Sequence, residues 1–355
     1  MPHADILHFL HMTGPVLCLD IGSGTQDVLL ARPEMEPENW PRFVLPSPAR
    51  LVAQRVRALT QLGRSVWLYG RNMGGGFTRA LQAHTAAGLA VALSPEAACA
   101  VHDSPEMVRS MGFSISHHCP EGAVAVAISD YSPAHWEGLL RQAGLPLPHR
   151  VVAAAQDHGI HEAGNRQGRM RHWRGLLDVS PHPADWIYTV PPPNLTRLVA
   201  LHAVTGGPVA DTGTAALLGA LCLPEVRDRS QREGVTIVNI GNSHCVAALV
   251  YQQRILGIYE HHTGMRSVEQ LLQDLQEFRM GWLPDEQVRA TGGHGTAFGH
   301  IPEAAAGFDP TFVLGPRREL LRGYGQFVAP YGDMMLAGCY GLLEGMAAKF
   351  TLAQG

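Results

Sequence analysis

Apolar and polar positions alternate in short blocks rather than long stripes, and the blocks predict a chain of strands interleaved with helices. Val16–Leu30, VLCLDIGSGTQDVLL, sets the pattern: an apolar run delivers Asp20 to a tight Gly22-Ser23-Gly24 turn, and Thr25–Leu30 leads away as a second strand. Phe43–Leu45, Ser65–Tyr69 and Leu89–Leu93 read as further strands, while Pro48–Leu62 and Phe77–Ala87 carry apolar residues at helical spacing. Ala123–Ile128, a helix over Pro133–Gln142 and Val151–Ala155 together predict a βαβ-like unit. The three prolines at 191–193 mark a stiff connection, followed by helices over Leu195–Val204 and from Asp211 to about Leu223.

Beyond the charged stretch Pro224–Gly234, the opening pattern returns. Val235–Asn239 is a strand, Gly241-Asn242-Ser243 a turn, His244–Tyr251 a second strand and Ile255–His261 a third, so the architecture repeats internally. Ser267–Arg279 reads as an amphipathic helix, Thr291–Thr296 as a glycine loop, Thr311–Leu314 as a strand and Met334–Lys349 as a closing helix. The repeat divides the chain into 1–223, with an inserted segment around 100–205, and 224–355.

Composition narrows the function. With 355 residues, 46% of them hydrophobic, two substantial cores are affordable. A net charge of −4 and a pI near 6.5 give no basic field, which argues against nucleic acid or an anionic membrane as partner. No run of about 18 apolar residues is present and Met1–His11 lacks an export pattern, so a cytoplasmic setting is expected. Lys349 is the only lysine, which leaves neither a P-loop lysine nor a Schiff base elsewhere. The six cysteines show no CxxC or CxxxCxxC spacing, and radical chemistry on an iron–sulfur cluster needs such a triplet.

The glycine turns carry the chemistry. Gly22, Ser23, Gly24 and Thr25 can bring backbone N–H groups and hydroxyls close to an anion, with Asp20 beside them able to hold hydrated magnesium. Gly70–Gly76, between a strand and a helix, is a second possible anion site. Asp157–Arg174 concentrates polar groups past a strand end: Asp157, His158, His161, Asn165, Arg166 and Arg169 could face the cleft and bind a second, anionic ligand. A solvated surface loop is the bland alternative. His158 and His161, with Glu162, His261 or His262, could instead hold zinc or ferrous iron for metal-assisted chemistry, although Gly159 and Gly164 work against a regular helix there.

In order along the chain, Asp20–Thr25, Asn239–His244 and the helix Asp211–Leu221 resemble the two phosphate motifs and first connecting helix of the superfamily of sugar kinases, actin and the large heat-shock ATPases. Phe312–Pro316 is similar to its adenosine-side strand and turn, and Gly332–Leu343 to its second connecting helix. More narrowly, the chain resembles an uncharacterised prokaryotic family often labelled as related to pyruvate formate-lyase activating enzyme.

The resemblance implies an α/β fold of duplicated ribonuclease-H-like (actin-like ATPase) domains with mixed sheets, closing on ATP and Mg2+ in an interdomain cleft. It would place Gly22–Thr25 and Gly241, Asn242 and Ser243 around the phosphates, Asp20 at the metal and Gly315 at the adenosine. Asn239 stands where many members carry a second acid, and its neutral amide cannot serve as a base. Asp211 or Asp157 is then the candidate base. The functions implied are an ATP-dependent phosphotransferase or ATPase acting on an unidentified small molecule, or a nucleotide-gated regulator of a partner protein.

Overall fold

The computed structural model describes residues 2–161, 165–305 and 307–352. Among these residues fifteen strands form three sheets. The first half contributes β1 (Val16–Ile21), β2 (Thr25–Ala31), β3 (Arg42–Pro46), β4 (Val66–Gly70), β5 (Val91–Leu93), β6 (Ser114–Ile115), β7 (Val124–Ile128), β8 (Arg150–Ala155) and β9 (Val209–Ala210). The second half contributes β10 (Val235–Ile240), β11 (His244–Tyr251), β12 (Arg254–His262), β13 (Gly295–Phe298), β14 (Thr311–Leu314) and β15 (Gln326–Phe327).

The internal repeat is visible in strand order. One sheet runs 3-2-1-8-9: an antiparallel meander whose first strand pairs in parallel with β8, which in turn pairs in parallel with β9. The other runs 13-12-11-10-14-15 and repeats that plan, with β13 added at its edge. This is a duplicated ribonuclease-H-like arrangement, the actin-like ATPase fold class. The third sheet, 6-5-4-7, is all parallel and is inserted between β3 and β8.

The expected βαβ unit over Ala123–Ala155 does not form, because β7 and β8 lie in different sheets. β7 pairs with β4, whereas β8 pairs with β1 from Val16↔Arg150 to Ile21↔Ala155. Val151–Ala155 is buried at every position and needs cover on both faces; β7 alternates and needs it on one. Pairing followed burial rather than sequence adjacency.

Two helices, Thr212–Leu221 and Ala337–Leu352, cross between the duplicated sheets. Their small residues make the close crossing possible: a Cβ added at Gly219 would lie 2.2 Å from the Ala337 carbonyl oxygen, and one at Gly341 would lie 2.3 Å from that of Ala215. Ala216, Leu217, Ala220 and Leu221 face the second sheet, while Cys339, Leu342 and Leu343 pack on the first. Among the described residues no helix is long and apolar enough to cross a membrane.

Candidate functional site

A cleft of about 360 Å3 opens where the three sheets meet. Each duplicated half sends one turn into it by the same local device. β1, buried everywhere but at Asp20, delivers that carboxylate, and the turn beyond it closes with Gly22 N–H donating to the Thr25 carbonyl at 2.9 Å. β10 delivers Asn239, and Gly241 N–H donates to the His244 carbonyl at 2.8 Å.

The turns nearly touch, since a Cβ on Gly24 would lie 2.9 Å from Asn242 Nδ2. Gly22, Ser23, Thr25, Gly241, Asn242 and Ser243 all line the cleft, as do Asp20, Asn239 and Gly315. Gly315 has φ +99°, and a Cβ there would lie 2.4 Å from the Ile240 carbonyl oxygen; the position requires glycine. Gly74–Gly76 lines the opposite wall, beside the Arg197–Asp130 ion pair at 2.7 Å.

Asp20 has an unexpected companion. Asp27 on β2 is its cross-strand partner, lines the same cleft, and like Asp20 has a buried Oδ1 with no hydrogen-bond partner. Burial pushes the Asp27 carboxyl up to about 7 and, with the charges of Asp27 and Asp211, raises that of Asp20 well above its ordinary value. Two crowded carboxylates with orphaned oxygens suit a hard divalent cation, so this pair fits magnesium. A charged residue in a strand otherwise apolar from Val28 to Ala31 was the sequence signal for Asp27.

The stretch beyond β8 differs from expectation. Asn165–Val179 is a helix, and Arg169, Met170, Trp173 and Leu177 form its buried face. Arg169, 1% exposed, donates through Nε to Glu260 Oε2 at 2.8 Å and through Nη1 and Nη2 to Asp211 at 2.9 and 3.0 Å. Trp173 and Gln156 complete the shell around Glu260 at 3.0 and 2.9 Å. Burial would raise the Glu260 carboxyl, but the adjacent guanidinium holds it well below its usual range. Arg169 is therefore not available to an anionic ligand. Arg166 is exposed; the side chain of Asn165, like Glu162, lies outside the described residues.

The two candidate bases are also engaged. Asp157 Oδ2 accepts N–H groups of Arg197 and Leu198 at 2.9 and 3.0 Å, at the start of the helix Thr196–Thr205, and its Oδ1 accepts Gly159 N–H at 2.8 Å. Asp211 caps the helix Thr212–Leu221 through Gly213 N–H at 2.8 Å while it grips Arg169. Both are positioning groups in this geometry, and neither offers an idle oxygen for proton abstraction.

Among the described residues, which exclude Glu162, His161 joins His158 in no group of three or more placed to hold a metal. Among the described residues, the group placed to hold a metal is His158, His244, Glu260 and His294. His261 is committed to Thr291 at 3.1 Å through Nε2, and His161 packs against Gly168. Burial drives the rings of His244 and His294 down to about 3 and about 4, and that of His158 well down, so all three are neutral at pH 7. His244 and His294 were hidden by sequence separation: one follows a turn and the other sits in a glycine loop.

The model of one protein family, described as "Putative pyruvate format-lyase activating enzyme (DUF1786)", matches residues 73–320. The chain belongs to this family. No group of three cysteines comes together among the described residues: Cys18, Cys222, Cys245 and Cys339 are buried in core positions, with Cys339 Sγ donating to the Cys18 carbonyl at 3.5 Å.

No curated protein matches the chain. Solved structures resembling it include the ethanolamine utilization protein EutJ from Carboxydothermus hydrogenoformans, at 10% identity over 97% of this chain and 99% of that one, TM-score 0.28. MreB5 of Spiroplasma citri bound to ADP shares 9% identity over 96% and 99%, TM-score 0.30. The Ppx/GppA family member of Aquifex aeolicus shares 9% over 96% and 98%, TM-score 0.30. Superposition at these scores is loose, so the fold assignment stands on this chain's own strand order.

Proposed function

We propose that the cleft binds ATP with magnesium, and that the protein is an ATP-dependent phosphotransferase or ATPase. One observation carries the reading: the duplicated turns Gly22–Thr25 and Gly241–Ser243 converge on a single cleft, with the Asp20–Asp27 pair beside them. Backbone N–H groups and the Ser23, Thr25 and Ser243 hydroxyls would hold phosphate oxygens from two walls, and Gly315 would let the base side approach the backbone. Magnesium at the acidic pair would neutralise phosphate charge as the phosphoryl group transfers.

A second reading, a nucleotide-gated regulator acting on a partner protein, is favoured by Asn239 and by the engagement of Asp157 and Asp211. Those contacts leave fewer groups for fast chemistry and tie both halves to the crossing helices. Calorimetry with ATP and ADP, with and without magnesium, tests the shared premise. Absence of binding by the folded protein at millimolar nucleotide would refute both readings. Turnover driven by one small molecule would favour the enzyme, and slow turnover accelerated by a protein the regulator.

A further inference from the structure

Three imidazoles from distant parts of the chain meet at the cleft wall, with the ring of His262 beside them, 4.4 Å from that of His244 and 5.0 Å from that of His294. His158 follows β8, His244 opens β11 and His294 immediately precedes β13. Ring centroids are 4.5 Å apart for His158 and His294, 5.2 Å for His244 and His294, and 5.5 Å for His158 and His244. The candidate ligand atoms of these residues and Glu260 all lie within 4.8 Å of one another.

What sets the cluster apart is what it lacks. His294 is 4% exposed, yet neither of its ring nitrogens has a partner, and the Nε2 atoms of His158 and His244 are likewise buried and unpartnered. Each such group is costly to bury unless something supplies its missing bond. Four orphaned nitrogens in one place point to a missing ligand rather than to four separate defects.

The surroundings suit a soft-to-borderline cation. His244 Nδ1 lies 2.6 Å from the Ser243 hydroxyl, which orients the ring; with Nδ1–H donating to that oxygen, Nε2 would carry the lone pair, the arrangement that outer-shell partners give metal-bound histidines. Glu260 contributes negative charge at close range, but its oxygens are already bound by Arg169, Trp173 and Gln156. Three neutral nitrogen donors disfavour magnesium, which takes oxygen, and suit zinc or a chemically similar first-row ion.

We propose that His158, His244 and His294 bind one divalent transition-metal ion of the zinc class, with an open coordination position toward the cleft. Four-coordinate geometry with bonds of about 2.1 Å needs donor atoms roughly 3.4 Å apart, within reach of small ring rotations from the present positions. His158 and His244 line the cleft while His294 sits behind them, so the site has protein on one side and cleft on the other. This proposal does not depend on nucleotide binding.

The test uses the full chain without a histidine tag, stripped by chelator and titrated with Co2+ in the absence of nucleotide and magnesium. One tightly bound Co2+ per chain is expected, with the visible absorption of a four-coordinate nitrogen site, ahead of any weaker binding at the Asp20–Asp27 pair, and displaced stoichiometrically by Zn2+. His294→Ala and His244→Ala should each weaken binding at least tenfold, with folding verified by circular dichroism, and replacement of the exposed His300 by alanine should leave it unchanged. Retention of binding in both folded histidine variants would assign the ion to scattered surface histidines and overturn the proposal. Loss on Asp20→Asn alone would assign it to the acidic pair, with the same consequence. If neither histidine variant folds, the wild-type spectrum decides: the weak bands of a six-coordinate aquo ion, or no binding at all, refute the site.

Discussion

Replacing Arg169 by methionine isolates the cost of the buried network that joins the two halves. Arg169 touches Asp211, which caps a crossing helix, and Glu260 in the second sheet, and it also donates to the Asp157 carbonyl at 2.8 Å. Methionine keeps much of the side-chain volume and removes the cation, leaving two carboxylates without their charge partner. Breaking a buried pair in this way costs about 3–5 kcal/mol, a large share of a typical folding free energy of ~5–15 kcal/mol. For a cooperative unit of roughly half the chain the unfolding entropy is ~0.4 kcal/mol/K, so a loss of ~4 kcal/mol lowers Tm by ~10 °C. Calorimetry and urea unfolding at pH 7 measure it. The triple variant Arg169→Met, Asp211→Asn, Glu260→Gln should recover most of the loss, because the uncompensated charges are gone and asparagine can still cap the helix. A single variant that loses less than about 1 kcal/mol, or a triple variant as unstable as the single, would show that the ion pairs do not hold this junction.

Three further outcomes follow from the cleft. Asp27 has an ordinary carboxyl value of 3.8 raised to about 7, so between those values the folded state holds a proton that the unfolded chain releases. Its contribution to stability is full below pH 3.8 and is lost as pH rises to about 7, at most ~4 kcal/mol at ~1.4 kcal/mol per pH unit. The buried imidazoles titrate in the opposite sense over the same range, so the Tm difference between metal-free wild type and Asp27→Asn isolates the decline; a difference that does not change with pH refutes the assignment. Asp20→Asn should weaken magnesium-dependent nucleotide binding at least tenfold without lowering Tm, since it removes a desolvated charge; calorimetry that finds the magnesium dependence intact counts against Asp20 as the metal group. Asp157→Ala should cost about 1–2 kcal/mol through the lost helix cap while nucleotide affinity stays within a few-fold, and a stable variant lacking turnover would restore Asp157 as a base.

Much of the architecture was legible because the strands advertise themselves locally. VLCLDI followed by a glycine turn and VTIVNI followed by another are self-contained signals, and their recurrence announced the duplication. The helix Asn165–Val179 was harder, since its buried face includes Arg169, which any hydropathy pattern counts as polar. Its burial depends on Asp211 and Glu260, 42 and 91 residues away. The same distance hid the histidine cluster, whose members come from three distant segments.

The sequence by itself determined the glycine turns, the acid that ends β1, the small-residue helices and the lack of a cysteine triplet, because each depends on neighbours within a few residues. Only the tertiary structure decided that β8 pairs with β1 rather than β7, that Asp157 and Asp211 support the backbone, and that Asp27 stands beside Asp20. It also decided which histidines meet. These outcomes turn on desolvation and charge pairing between distant segments, and a carboxylate or imidazole acquires its chemical character only from what the fold packs against it.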